Sequence, residues 1–318
     1  MQLIMRRLLV FMALLVSAVS FGQGRSAVVN ISVSNMRSQP DYESSLENQV
    51  LMGRVVEVVD SSSYWRKVVA HAPEYTGWIN VLALAPVADV EAYNAAAKYL
   101  CTAAHSNVFS APSRRAGRIC DLVQGDILRV APGRSRHGFC RVLLPSGIAG
   151  WVPSGDVEEM GSYYARVRTS AHGIISSALQ YVGVPYLWGG NSPNGFDCSG
   201  LVGLAYYMNG IQLPRNASQQ VKLGTGLDVS GVADGDFSAL EPGDLLFFGN
   251  RDTGRVTHVA LYIGDGHIVH ASQLVRVNSL RPGDADYYEN SHRLLYGRRI
   301  LGTPDADSRK IVIFASIN

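Results

Sequence analysis

Charge of one sign is scarce in these 318 residues: 28 Lys and Arg stand against 26 Asp and Glu, a formal net charge of +2. Nucleic acid and anionic membrane surfaces are bound chiefly through electrostatics, so neither is an expected partner. Charged residues total only 17% against 47% hydrophobic, which excludes a largely disordered chain. No apolar run reaches the ~20 residues that a membrane-spanning helix needs. The run Leu8 to Val19 is twelve residues long, follows Arg6 and Arg7, and ends in the small-x-small pattern Ala18-Val19-Ser20. Residues 1–20 therefore read as a secretory signal peptide, and the protein is expected in a periplasm or outside the cell. No cysteine follows the run to carry a lipid, so no stable membrane insertion is expected after cleavage. Losing the two arginines brings the net charge to about zero.

Cysteine is scarce too: Cys101, Cys120, Cys140 and Cys198 are the only four. None stands in a CxxC or Cys/His spacing typical of a closed zinc site, so no metal is expected. If Cys198 is reserved for chemistry, an odd three remain, enough for at most one disulfide.

The length suggests two or three domains, and the most informative stretch is Tyr186 to Leu204, YLWGGNSPNGFDCSGLVGL. Two glycines and a Pro-Asn-Gly turn signal lead to Cys198, and the apolar run beyond it ends at Asn209-Gly210. This predicts a loop that delivers Cys198 to the first turn of a helix, where free N–H groups and the helix dipole favour a thiolate. A thiolate nucleophile needs a base and a group to orient that base. Residues 257–272, THVALYIGDGHIVHAS, alternate as a β-hairpin around Gly264-Asp265-Gly266. A three-residue loop 264–266 sets position 260 opposite 270 and makes His258 and His270 diagonal neighbours on one face. A two-residue loop would separate them. The competing reading is a buried structural cysteine with two unrelated histidines.

PYLWGGNSPNGFDCSGLV, PGDLLFF at 242–248, THVALYIG and HIVHAS stand in the order of four blocks that resemble the NlpC/P60 family of papain-like cysteine peptidases. The resemblance spans roughly residues 170–300. It implies Cys198 as nucleophile, His258 as base, His270 as the third polar residue, and Tyr186 as a hydroxyl beside the nucleophile that helps hold the oxyanion. By the same resemblance Asp197, Trp188, Ser199 and Ser218 are substrate-pocket residues, while Asn216 replaces an aspartate carried by many relatives. A cysteine mechanism calls for no metal and no cofactor.

Upstream, residues 26–87 read as short strands with turn signals, and NMRSQP, LMGRVVEVVD, YWRKV and YTGWI resemble a bacterial SH3 (SH3b) domain. A degenerate second copy over 97–158 is marked by Gly125-Asp-Ile-Leu against Gly53-Arg-Val-Val, and by Gly150-Trp151 against Gly77-Trp78. Residues 158–168 read as a linker. Thr169 or Ser170 then caps a helix with Ile174, Ile175, Ala178, Leu179 and Val182 on one face and Gly183 as its stop. A last apolar strand is predicted over 311–315, and residues 274–310 carry no functional assignment. The expected architecture is an α+β papain-like NlpC/P60 domain over 169–305 preceded by two small all-β SH3b barrels.

That arrangement is similar to γ-D-glutamyl-L-diamino-acid endopeptidases, which cleave peptidoglycan stem peptides with a free N-terminal L-Ala and use the first SH3b domain to close the site. A monomer acting on such peptides is the expected reading. The free ammonium requires a carboxylate or aromatic acceptors, for which Asp197, Glu43 and Tyr75 are the candidates, with Glu47 competing for the place of Glu43. Two other functions fit the same motifs: a lytic endopeptidase or amidase acting on intact crosslinked wall, and a non-catalytic wall-binding protein.

Overall fold

The computed structural model describes residues 25–311. The proposed signal peptide and all but the first residue of the predicted terminal strand lie outside that range.

Seven strands form the first barrel: β1 (Arg25–Val29), β2 (Val33–Arg37), β3 (Leu46–Leu51), β4 (Val55–Ser62), β5 (Trp65–His71), β6 (Glu74–Asn80) and β7 (Leu84–Pro86). They pair in the order β3-β2-β6-β5-β4-β1-β7. Alternating valines and alanines of β1, β4 and β5 fill the core with Met36 and Ile79, as a half-buried strand pattern requires. A short helix, α1 (Val90–Ala95), capped by the Asp89 side chain, leads out of it.

The second barrel repeats the design with β8 (Lys98–Cys101), β9 (His105–Phe109), β10 (Arg118–Val123), β11 (Ile127–Val130), β12 (Phe139–Leu143), β13 (Ala149–Pro153) and β14 (Val157–Glu159). Its order, β10-β9-β13-β12-β11-β8-β14, is that of the first with every strand advanced by seven. The repeated glycine before tryptophan has a steric cause. A Cβ at Gly77 would come within 2.4 Å of Met36 Cγ, and one at Gly150 within 2.3 Å of Val108 Cγ1. All four cysteines are free, with Cys101 and Cys140 buried in the second barrel's core region.

A helix replaces the predicted linker. In α2 (Met160–Arg166) the Glu159 side chain accepts from Gly161 and Ser162 N–H at the N-terminus. Tyr163 and Tyr164 hydroxyls then donate to the Met208 and Tyr207 carbonyls at 2.9 and 3.3 Å. Ser170 caps α3 (Ala171–Leu179), while Thr169 donates to Asn209 O. Ile174 and Ala178 are buried as predicted, but Leu179 and Val182 are exposed and Tyr181 takes the inward place.

The third unit continues through β15 (Asn191–Ser192), β16 (Gly195–Phe196), α4 (Cys198–Met208), α5 (Ala217–Gln220), β17 (Thr225–Leu227), β18 (Leu245–Asn250), β19 (Arg255–Gly264), β20 (His267–Ser272), β21 (Leu274–Ser279), β22 (Leu294–Arg299) and α6 (Pro304–Ser308). Its six-stranded antiparallel sheet runs β17-β22-β18-β19-β20-β21. Side chains split by strand alternation. Leu245, Phe247, Val259, Leu261 and Val269 join the α4 core; Leu246, Phe248, Ala260, Tyr262 and Ile268 form a second cluster. Fully burying each large apolar side chain contributes about 1.5–3 kcal/mol, so both faces of this sheet are rigid supports.

Candidate active site

The Asp197 side chain accepts from the Gly200 N–H at 2.7 Å and caps α4, which fixes Cys198 at the first helical position. Cys198 is 7% exposed, with the Val259 and Ser199 backbone N–H groups directed at its sulfur. Burial, followed by the nearby Asp197 charge, pushes the thiol up to about 11. The helix N-terminus favours the thiolate, but desolvation outweighs it here.

The hairpin turn is two residues, Asp265-Gly266, both with positive φ, rather than the predicted three. A bulge between Tyr262 and Gly264 absorbs one residue, so Leu261 faces Val269 and the register of the three-residue prediction is restored. His258 and His270 consequently meet: His258 Nε2 lies 2.8 Å from His270 Nδ1. Desolvation lowers His258 to about 3, helped by the His270 ring, and burial lowers His270 to about 4. Burial therefore favours a neutral thiol and neutral imidazoles over the ion pair that a thiolate at position 198 would make. Tyr288 covers them, its ring centroid 4.7 Å from that of His270 and 6.0 Å from that of His258. Tyr186 is half-buried and its phenol is raised to about 12 by desolvation and then by Cys198, so it keeps its proton as a donor in the site.

Asp197 is not the free carboxylate expected of an ammonium acceptor. Arg215, 3% exposed, donates to both of its oxygens, at 3.0 and 2.6 Å, and Gly189 N–H and Ser199 Oγ add two more hydrogen bonds. Ser199 also accepts from Arg215 and is buried within this cluster. Glu43 is exposed in its loop, its N–H bonded to Asp41, and is not brought to the site. Glu47 is the acid that arrives: β3 carries it beside the catalytic loop, where a Cβ on Gly189 would lie 3.0 Å from the Glu47 carbonyl carbon. Tyr75 donates to Glu47 at 3.3 Å and accepts from the Asn216 side chain. Among the described residues no ion pair includes Glu47. Trp188 and Ser218 are exposed, Trp188 at 64%.

One group among the described residues, His267, Asp284 and Asp286, brings possible ligand atoms within 4.8 Å. Its carboxylates are exposed and Asp284 already accepts from Ser279, so it carries no assignment.

With this geometry in place, similarity to known proteins is decisive. Residues 183–293 match the NlpC/P60 family and residues 36–84 the bacterial dipeptidyl-peptidase Sh3 domain. The chain carries an NlpC/P60 peptidase domain behind a bacterial SH3 domain. A gamma-D-glutamyl-L-lysine dipeptidyl-peptidase of Bacillus cereus is 29% identical over 266 residues, 79% of this chain and 75% of that protein. Dipeptidyl-peptidase 6 of Lysinibacillus sphaericus is 28% identical over 80% of this chain and 92% of its own length. A crystal structure of an NlpC/P60 family protein from Bacillus cereus superposes with a TM-score of 0.73 at 26% identity, covering 87% of this chain and 99% of that one. The enzyme is a hydrolase of the NlpC/P60 peptidases.

Four residues of this NlpC/P60 site escape sequence reasoning in different ways. Glu47 was visible but ambiguous within a polar loop. Arg215 directly precedes Asn216, and nothing in the sequence gives it a role of its own. Asn278 and Tyr288 sit in the stretch to which no function was given, with no spacing to announce them.

Proposed function

We propose that this NlpC/P60 hydrolase is an exported monomeric cysteine endopeptidase. It cleaves the γ-D-glutamyl-L-diamino acid bond of peptidoglycan stem peptides with a free N-terminal L-Ala. The relatives' names support the bond, and the pattern of residues 1–20 supports export. The observation that carries the amine reading is Glu47. The backbone of this half-buried residue of the first barrel lies against Gly189, and its carboxylate is bonded to Ser45 and Tyr75 and, among the described residues, to no cation, while Asp197 is paired with Arg215. A buried or half-buried charge without a partner is costly, and an ammonium would relieve it.

In this reading the Cys198 sulfur attacks the γ-carbonyl carbon as its proton passes to His258. The Cys198 N–H at the helix start and the Tyr186 hydroxyl hold the resulting oxyanion. His258 gives that proton to the amine of the diamino acid as the C–N bond breaks. Water then hydrolyses the thioester, with His258 again as base.

Mass spectrometry of L-Ala-γ-D-Glu-diaminopimelate incubated with the mature protein, beside its N-acetylated analogue and a Cys198→Ala control, tests this. Release of L-Ala-γ-D-Glu from the free amine alone, abolished by the substitution, is the expected result. Equal cleavage of both peptides removes the amine pocket; cleavage only of crosslinked wall replaces the reading with a lytic one.

A further inference from the structure

We infer that Asn278 is a positioning residue that sets the protons on both active-site imidazoles, anchored on the backbone carbonyl of Asp286. The inference rests on the reading of Cys198, His258 and His270 as nucleophile, base and orienter.

A chain of three contacts carries it. The Asn278 amide lies 2.6 Å from Asp286 O and 2.9 Å from His270 Nε2, and His270 Nδ1 lies 2.8 Å from His258 Nε2. A backbone carbonyl can only accept, so Asn278 Nδ2 must face Asp286, and Asn278 Oδ1 must face His270. His270 Nε2 then carries hydrogen. A neutral imidazole has only one such proton, so His270 Nδ1 is a lone pair and His258 Nε2 must donate to it. That leaves His258 Nδ1 unprotonated, the one nitrogen able to take the Cys198 proton.

The reversed amide gives the opposite outcome. It would set Asn278 Oδ1 against Asp286 O, two acceptors at hydrogen-bond distance, and offer N–H to His270 Nε2. His270 Nδ1–H would donate to His258 Nε2, and the proton of His258 would sit on Nδ1, blocking it as a base. The anchor is itself held: Asp286 O also accepts from Ser279 N–H at 3.1 Å, and Tyr288 N–H donates to Ser279 O at 2.8 Å. Asn278 is 7% exposed and His270 fully buried, so solvent does not compete for these bonds. The turn over 280–288 thereby acquires a role, because it supplies both the Asp286 carbonyl and the Tyr288 ring that covers the histidines.

The groups facing His270 are His258, Arg276, Tyr288 and Asn278, and those facing His258 are His270, Arg293, Tyr288 and, as the proton donor of the proposed reaction, Cys198. None of these besides Asn278 accepts a proton from His270 Nε2. The pH arm of the test is therefore specific to this position.

Nitrogen NMR of the full mature chain carrying 15N-histidine should show His258 and His270 both protonated at Nε2 at neutral pH. Finding His270 protonated at Nδ1 overturns the inference. In kinetics on the free-amine stem peptide, Asn278→Leu should lose 10- to 100-fold in kcat with KM little changed, the scale typical of residues that orient a functional histidine. Asn278→Asp keeps an acceptor toward His270 and should lose less. Its carboxylate favours the imidazolium, so the acid limb of kcat should move to higher pH. Wild-type kcat and tautomers in Asn278→Leu, with only a lowered Tm, would show a purely structural residue and sink the proposal. Should Asn278→Leu not fold, the wild-type spectrum and the Asn278→Asp profile decide alone. Cys198→Ala and His270→Ala separate the two levels: activity surviving in Cys198→Ala refutes the underlying reading, whereas its loss beside a fully active Asn278→Leu refutes only the role of Asn278.

Discussion

Glu47 and Asp197 carry the same formal charge within one connected neighbourhood, yet their surroundings give them opposite work. Asp197 caps α4, accepts from Gly189 and is held by both terminal nitrogens of a buried arginine; its charge is spent on architecture. Among the described residues the Glu47 carboxylate accepts only from Ser45 and Tyr75. Glu47→Gln should therefore raise KM for the free-amine peptide by about 10- to 100-fold, the value of a hydrogen bond to a charged group, with kcat nearly unchanged. Glu43→Gln should change neither, and steady-state kinetics on the two variants decides between these loop acids. The histidines make a second residue-scale prediction. His258 and His270 are lowered to about 3 and 4, so both are neutral throughout the physiological range, and Cys198 at about 11 keeps its proton. The kcat/KM profile should be flat from about pH 5 to 9, without the alkaline fall that deprotonation of an imidazolium partner would cause. A bell with an alkaline limb near pH 8 would show the ion pair instead. Stability follows the same groups: from about pH 6.5 down to pH 4 the unfolded chain takes up protons that the native histidines refuse. Tm should thus fall as pH drops through that window.

The elements around the nucleophile show where pattern reading works and where packing takes over. The first turn of α4 lies against the preceding loop so closely that a Cβ on Gly200 would sit 2.1 Å from Gly190 O. Gly200→Ala must push that loop away from Asp197 and Cys198. About 1–3 kcal/mol of stability should be lost to the overpacking, and kcat should drop at least tenfold as the nucleophile shifts; chemical denaturation with turnover measurements checks both. The α4 start and the hairpin register were legible because a capping aspartate, glycine turns and period-2 alternation are local signals. The bulge that restores the register was not, since it depends on how the Asp265-Gly266 turn closes. Helix α2 was missed because Gly161-Ser162-Tyr163-Tyr164 offers little helical periodicity; its tyrosines are held by carbonyls of a helix 43 to 45 residues away. Leu179 and Val182 lost the inward face to Tyr181, whose hydroxyl finds Gln124 of the second barrel at 2.6 Å. Asn278 was invisible for the same reason: its meaning lies in a carbonyl eight residues on and a ring on the neighbouring strand.

At the scale of the whole molecule, the first barrel is joined to the catalytic unit by β3. Gln49 Oε1 accepts from Asn191 N–H at 3.1 Å and from Ser192 Oγ at 3.0 Å, while Asn191 Nδ2 donates to Gln49 O and Arg215 Nε to Asn48 Oδ1. The barrels meet each other through Met52, whose N–H is taken by the buried Asp126 and whose carbonyl accepts from Ile127. The second barrel reaches the catalytic unit through Gln124 and Tyr181. These interfaces differ in what lies beside them. Glu47 is two residues from Gln49, at the irregularity where β3 pairs with β2, whereas Gln124 is bonded to Thr102, Gln180 and Tyr181, to which no substrate or catalytic role is given. Gln49→Ala leaves the Asn191 and Ser192 donors without partners, a cost of about 1–3 kcal/mol at that contact, and frees Glu47 to drift from the catalytic loop. KM for the free-amine peptide should rise about tenfold while kcat stays within about threefold, because Gln49 and Asn48 bond to Asn191, Ser192 and Arg215, not to the histidines on β19 and β20. Gln124→Ala should lower Tm comparably and leave KM alone. Equal KM values in both variants would mean that the first barrel supports the fold without reading the substrate, and would return the amine to Asp197. A KM effect confined to Gln49→Ala would make the joint between barrel and enzyme the part of the molecule that selects its substrate.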